Sequence, residues 1–260
     1  MHTHFALVKC NLKNEQLNGL EELRNLEVLD LSENELKHFT TDDNALPHLI
    51  ALNLSENHIC TLDQLTGPYP ALRELDISSN FLMKIDRRSI SNISPQLYTL
   101  NLSNNLITRM SHSGETSATP VCHPPFGRID LTGNQLSHLD SSISTDYLAT
   151  SFDFTSNLLQ QLPSVGLHGP ILKRLCFDQN YISSLDPLSQ SWLPNLQLLS
   201  ACQNRITEIP ELFCPKLKHL LLGDNQISDW NSVNKSVRNL PTLKYLNIEN
   251  NPCIVLLKPR

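Results

Sequence analysis

Ten histidines, twenty-six acidic residues and seven cysteines give this chain of 260 residues the raw material for acid–base, nucleophilic or metal chemistry. Such chemistry needs those residue types at set spacings. No GxxxxGK[ST] phosphate loop, GxSxG nucleophile turn or HExxH zinc helix occurs, and eight glycines leave little material for a phosphate cradle. His112, Cys122 and His123 lie near one another in sequence, but their spacing fits no zinc pattern and a fourth ligand is missing. Cys10, Cys60, Cys122, Cys176, Cys202, Cys214 and Cys253 are odd in number and form no CxC or CxxC pair, which suits free thiols in a reducing compartment. The expectation is a protein that is not an enzyme and that carries no cofactor and no metal.

Protein recognition is a better match to the residues available. Lys173, Arg174, Cys176, Asp178, Lys218, His219, Leu221, Lys244 and Tyr245 form a mixed basic, apolar and aromatic set, the composition that protein interfaces use for their anchors. Whether these side chains share one surface depends on the elements that carry them.

Those elements come from an internal repeat. The segments LEVLDLSENEL (26–36), LIALNLSENHI (49–59), LRELDISSNFL (72–82) and LYTLNLSNNLI (97–107) are copies of the pattern LxxLxLxxNxL. With its asparagine as the mark, the position falls at Cys10, Asn34, Asn57, Asn80, Asn105, Asn134, Asn157, Asn180, Asn204, Asn225 and Asn251, eleven repeats spaced 21 to 29 residues apart. Counted from the mark, columns −8, −5, −3, +2 and +5 give fifty-five positions, and all but His2 and Glu15 are apolar. At the chain's 40% apolar content about 22 would be, so chance is excluded. Alternation in each LxLxx stretch turns the leucines inward and their neighbours outward, one short strand per repeat, and stacked strands make a parallel sheet. The mark amide can both donate and accept, so it can satisfy backbone groups of the buried turn. About a dozen residues per repeat remain for a return path of short helix, 3₁₀ turn or extended chain. That path is bulkier than the strand, so the expected fold is an α/β repeat solenoid, a curved horseshoe with the parallel sheet on its concave face, spanning residues 2–253 as a single domain.

Residues 2 to 253 resemble the leucine-rich-repeat family, including its tolerance of Cys at the mark, as at Cys10. The resemblance implies a surface that binds another protein, since this fold serves many partners. The last repeats, NQISDWNSVNKSVRNLPTLKYLNIENNPC (225–253), are similar to the end of the SDS22-like intracellular subgroup, and the steps Leu162-Pro163 and Ile209-Pro210 also occur in cytosolic members. What this implies is a cytoplasmic adaptor or regulatory subunit holding a folded protein on its concave face. The alternative is a piece of a secreted or cell-surface recognition receptor. Asn53, Asn92, Asn101 and Asn234 begin N-x-[ST] sequons, but Met1-His2-Thr3-His4 opens without a signal peptide and paired-cysteine caps are missing.

The register sorts the surface. From Asp30 to Thr155, columns −4 and −2 form an Asp/Asn and Ser/Thr ladder suited to lateral hydrogen bonds or to an acidic stripe for a basic partner. The ladder breaks at Lys173, and the expected partner-binding residues are Lys173, Arg174, Asp178, Lys218, His219, Leu221, Lys244 and Tyr245. Trp230 stands in the +5 column and is expected to pack in the core. Residues 111–125, rich in Ser, Thr, Gly and Pro, read as a flexible insertion loop, and 254–260 as a tail. Neither end reads as a polar cap, which suggests a piece of a longer chain with flanking segments in contact. Residues 1–80 hold thirteen acids against five bases, and 81–260 thirteen against fifteen, giving balances of −8 and +2 within a net charge of −6. No nucleic-acid partner is expected at that charge, and no apolar run is long enough for a membrane span.

Overall fold

The computed structural model describes residues 3–42, 45–111, 126–140, 143 and 148–255, which fall into two compact units, Met1–Asp130 and Leu131–Arg260. The first unit carries the strands His4–Ala6, Val28–Asp30, Ala51–Asn53, Glu74–Asp76, Thr99–Asn101 and Arg128–Asp130, each parallel to the next. The second carries Ser151–Asp153, Arg174–Cys176, Leu198–Ser200, His219–Leu221 and Tyr245–Asn247, again parallel and in chain order. Every one of these strands begins six residues before its mark, so the repeat register fixes where each forms.

The turn after each strand has a feature that the leucine pattern does not announce. The residue immediately before every mark has a left-handed backbone: Lys9, Glu33, Glu56, Ser79 and Asn104 in the first unit, and Gly133, Ser156, Gln179, Gln203, Asp224 and Asn250 in the second, with φ between 53° and 68°. Non-glycine residues accept this conformation at a cost of roughly 1 kcal/mol each, so the packing around the turn must offset it. The mark side chain is what does so. Asn57 donates from Nδ2 to the carbonyls of Leu31 (2.9 Å), Leu54 (3.1 Å) and Ser55 (3.1 Å), while its Oδ1 accepts the Leu36 N–H (3.0 Å). In the second unit Asn180 does the same with Phe154, Phe177, Asp178 and the Leu159 N–H. Each amide therefore ties its own turn to the preceding repeat. At the first mark Cys10 cannot do this, and its thiol reaches only the Val8 carbonyl at 3.3 Å.

The core follows the columns. Leu29, Leu52, Leu75, Leu100 and Ile129 stand in register across the first unit and are buried, and the second unit repeats this with Phe152, Leu175, Leu199 and Leu220. Phe152, Phe154 and Phe177 stack at 5.3 and 5.5 Å between centroids. Each buried side chain contributes about 1.5–3 kcal/mol. Phe5 and Leu7 in the first repeat, and Leu243 and Leu246 in the last, are only half-buried.

The return paths mix 3₁₀ turns (Asn14–Gln16, Leu20–Glu22, Leu62–Gln64, Asp186–Gln190) with α-helices at Arg87–Ile93 and Trp230–Arg238. Extended pairs also form there, Phe39–Thr40 with Leu65–Thr66 and Lys84–Asp86 with Arg109–Ser111. Glu15, which breaks the +5 column, is exposed in its 3₁₀ turn. Trp230 corrects an expectation: it is 39% exposed. Asp229 accepts the N–H groups of Asn231 and Ser232 and starts a helix at Trp230, and that helix turns Val233 into the core instead. The insertion expected at 111–125 falls, apart from Ser111, outside the described residues, as do His2 and the tail residues 256–260.

Candidate partner-binding surface

In the second unit, alternation along each strand buries Leu175, Leu199 and Leu220 and turns their neighbours outward, except Ser200, which is buried. The parallel register then lines up Arg174, Leu198, His219 and Tyr245 on four successive strands. One residue earlier, Lys173, Gln197, Lys218 and Lys244 form a second row, linked by the backbone bonds Gln197 N–H to Lys173 O, Lys218 N–H to Gln197 O and Lys244 N–H to Lys218 O, at 2.8 to 2.9 Å. Together these rows are the leading edge of the strand face. Lys173, Arg174, His219, Lys244 and Tyr245 are exposed and Lys218 is half-buried. The His219 and Tyr245 rings lie 6.3 Å apart.

The electrostatics of that edge are one-sided. The two rows contain no carboxylate between residues 150 and 245 in the repeats they span, and none of Lys173, Arg174, Lys218 or Lys244 makes an ion pair with any described residue. Lys218 Nζ donates only to Gln197 Oε1 at 3.3 Å. Acids sit on the trailing side of the same strands, at Asp178, Asp224 and Glu249.

Asp178 differs from the rest of the expected set. Its Oδ1 accepts the Ser200 hydroxyl at 2.6 Å and the Cys202 N–H at 2.7 Å. Burial pushes its carboxyl above the usual range against the pull of those two bonds, and the nearby Asp153 charge adds to the rise. Burial and the Asp178 charge likewise raise the Cys202 thiol. The structure thus brings six expected residues into the leading rows, puts half-buried Leu221 beside them in the next outward column, and commits Asp178 to tying neighbouring strands together.

The first unit's strand face has another character. A hollow of about 340 Å³ lies over it, lined among others by Asp30, Asn53, Glu74, Asp76, Asn101 and Asp130. The ladder's bonds run mostly within a repeat, not laterally as expected. Ser32 gives both its N–H and its hydroxyl to Asp30, and Ser78 gives both to Asp76. A lateral bond joins Asn101 Nδ2 to Asp76 at 2.8 Å. The acids are therefore first employed in closing their own strand ends.

No group of three or more His, Cys, Asp or Glu side chains among the described residues is placed to hold a metal ion, while His112, Cys122 and His123 lie outside them. Among the described residues no helix is long and apolar enough to cross a membrane.

Comparison with known proteins accords with this geometry. The family model for leucine-rich repeats in two copies matches residues 194–235. The chain carries leucine-rich repeats. Over 144 residues its repeats are 31% identical to the leucine-rich repeat serine/threonine-protein kinase 1 of Mus musculus, covering 52% of this chain and 7% of the kinase. Over 90 residues they are 37% identical to the tubulin-specific chaperone E of Danio rerio, covering 31% of this chain and 17% of the chaperone. The chain thus spans a small part of either relative. Among solved structures, the leucine-rich repeat domain of APL1B superposes with a TM-score of 0.67 at 18% identity, over 96% of this chain and 69% of that one, a likeness of fold alone.

On this leucine-rich-repeat strand face the expected set missed Gln197 and Leu198. They occupy the same leading columns, seven and six residues before Asn204, as Lys173 and Arg174 do before Asn180. Column position was the signal that could have found them.

Proposed function

We propose that this leucine-rich-repeat chain is a non-catalytic protein-interaction module, an adaptor or regulatory subunit that holds a protein partner on the strand face of residues 150–247. The observation that carries the reading is the leading edge itself. Lys173, Arg174, Lys218, His219, Lys244 and Tyr245 stand at the outward edge of these strands, over the buried Leu175, Leu199 and Leu220, and are unpaired with other described charges. A rigid scaffold that holds Arg, Tyr and Leu side chains at fixed spacing limits the entropy lost on binding.

An intracellular setting is supported by two features. Cys214 and Cys253 are buried as free thiols within the repeats, and Cys10 and Cys60 are exposed free thiols, a pattern suited to a reducing compartment. One relative is by name tubulin-specific, and tubulin is an intracellular protein.

The test is affinity capture from the native source with the full chain and with a variant carrying Arg174→Ala, Lys218→Ala, His219→Ala and Tyr245→Ala. Thermal melting should show both to be equally folded. A soluble intracellular protein retained by the full chain and lost by the variant is the expected result. Equal retention by the variant would place binding on another face, and capture of secretory-pathway proteins would overturn the compartment.

A further inference from the structure

The leading edge also says what kind of segment fits it. We infer that its occupant is a short, extended, acidic polypeptide stretch bearing one aliphatic or aromatic side chain; the inference rests on the proposed use of this face. Neighbouring strands of a sheet lie about 4.8 Å apart. Lys218 and Lys244 are therefore like charges on adjacent strands, an arrangement that is destabilising when nothing offsets it. Lys173 and Arg174 extend the same charge two strands further, with uncharged Gln197 and Leu198 between. Among the described residues no carboxylate neutralises them. An anionic ligand would relieve the repulsion.

The basic strip is too narrow for a broad polyanion. Asp178, Asp224 and Glu249 lie in the segments that follow these strands, four to six residues beyond the basic rows, within roughly 20 Å even at the about 3.3 Å per residue of extended chain. A nucleic-acid strand or an anionic membrane would bring phosphates against those carboxylates as well as against the lysines. An extended peptide can run along the strip alone. Crossing from the Arg174 strand to the Tyr245 strand takes three strand spacings, about 14 Å, which four to five extended residues cover. Alternate side chains of such a peptide point the same way, so acidic residues can face Lys173, Lys218 and Lys244. An apolar residue of that same alternate set, between the acidic ones, then meets Leu198, Leu221 and the half-exposed ring of Tyr245, which is 51% exposed.

The experiment selects binders to the immobilised full chain from a random peptide library, then measures them by fluorescence anisotropy beside a labelled Asp/Glu-rich peptide. The Asn/Gln counterpart of that peptide, poly-uridine and phosphatidylserine vesicles serve as competing probes. Recovered peptides should be rich in Asp and Glu with one apolar residue. Lys218→Glu with Lys244→Glu should weaken the acidic peptide roughly tenfold or more and transfer preference to a Lys/Arg-rich one. If recovered peptides are neutral or basic yet are lost on Leu221→Ala with Tyr245→Ala, the face stands and its assigned chemistry is overturned. If no binder is recovered, or binders ignore both variant pairs, the face and the inference fall together. Tighter binding of poly-uridine or vesicles than of the acidic peptide at about 0.15 M salt would likewise overturn it.

Discussion

The mark asparagine bonds at once to two repeats, and its removal has a calculable consequence. Asn157 Nδ2 donates to the carbonyls of Leu131, Phe154 and Thr155, and its Oδ1 accepts the Leu136 N–H. Asn157→Ala leaves those buried backbone groups without this partner, at about 1–3 kcal/mol for an unsatisfied group. Urea denaturation should show a loss of roughly 3 kcal/mol or more, and Asn157→Cys should recover a part of it, as the thiol at Cys10 does toward Val8. A second residue reports on pH. Burial pushes the Cys214 thiol up to about 11 from its ordinary value of 9.0. Between those two values the unfolded chain releases the proton that the folded chain keeps, so unfolding becomes easier as pH rises. The contribution is fully present below pH 9 and is lost by about pH 11, amounting to roughly 2–3 kcal/mol. Cys214→Ala starts less stable from its cavity, but its stability should fall less between pH 8 and about 10.5 than that of the parent chain; parallel falls would show that Cys214 does not titrate this way.

At the scale of elements, strands and return paths obey different constraints. Asp229 caps the helix Trp230–Arg238 with both carboxylate oxygens, so Asp229→Ala should cost about 1 kcal/mol in urea denaturation. Helical circular dichroism should fall and the strands should remain. This helix also shows where the sequence stops being legible. Every strand that precedes a mark was readable, because its place is set by burial of two alternating side chains in a repeated register. The return path has no such lock: Phe39 opens a short strand, Leu62 a 3₁₀ turn and Trp230 an α-helix, although all three stand in the same +5 column. A capping Asp one residue earlier outweighed the column for Trp230. The left-handed turn before each mark was illegible for the opposite reason. Lys, Glu, Ser, Asn, Gln, Asp and Gly all occupy it, so no residue type signals a conformation that neighbouring packing imposes. The candidate site was legible as far as the columns reached. Arg174, His219 and Tyr245 do fall in line, whereas the engagement of Asp178 by Ser200 and Cys202 depends on a contact between strands that spacing alone does not disclose.

For the whole molecule, stability in a stacked-repeat protein is a sum over neighbouring repeats, and each core side chain adds in proportion to its burial. The change in charge along the chain, −8 over residues 1–80 and +2 beyond, was visible in the sequence and reappears as an acid-lined hollow in one unit and a basic edge in the other. The gradient in burial was not visible, since Leu175 and Leu246 are the same residue in the same column, yet one is buried and the other half-exposed. Leu175→Ala should therefore cost about 3 kcal/mol or more and Leu246→Ala roughly half of that. The strand Tyr245–Asn247 belongs to this weaker part while supplying two of the proposed anchors, Lys244 immediately before it and Tyr245 within it. Local opening of low stability is where a bound partner has most to add. Native-state hydrogen exchange should find the Leu246 amide exchanging faster than those of Leu175 and Leu199 in the free chain, and slowing most when the acidic peptide is added. An increase in protection spread evenly over all repeats would point instead to binding elsewhere, since a ligand seated on the leading edge protects first the strand it touches.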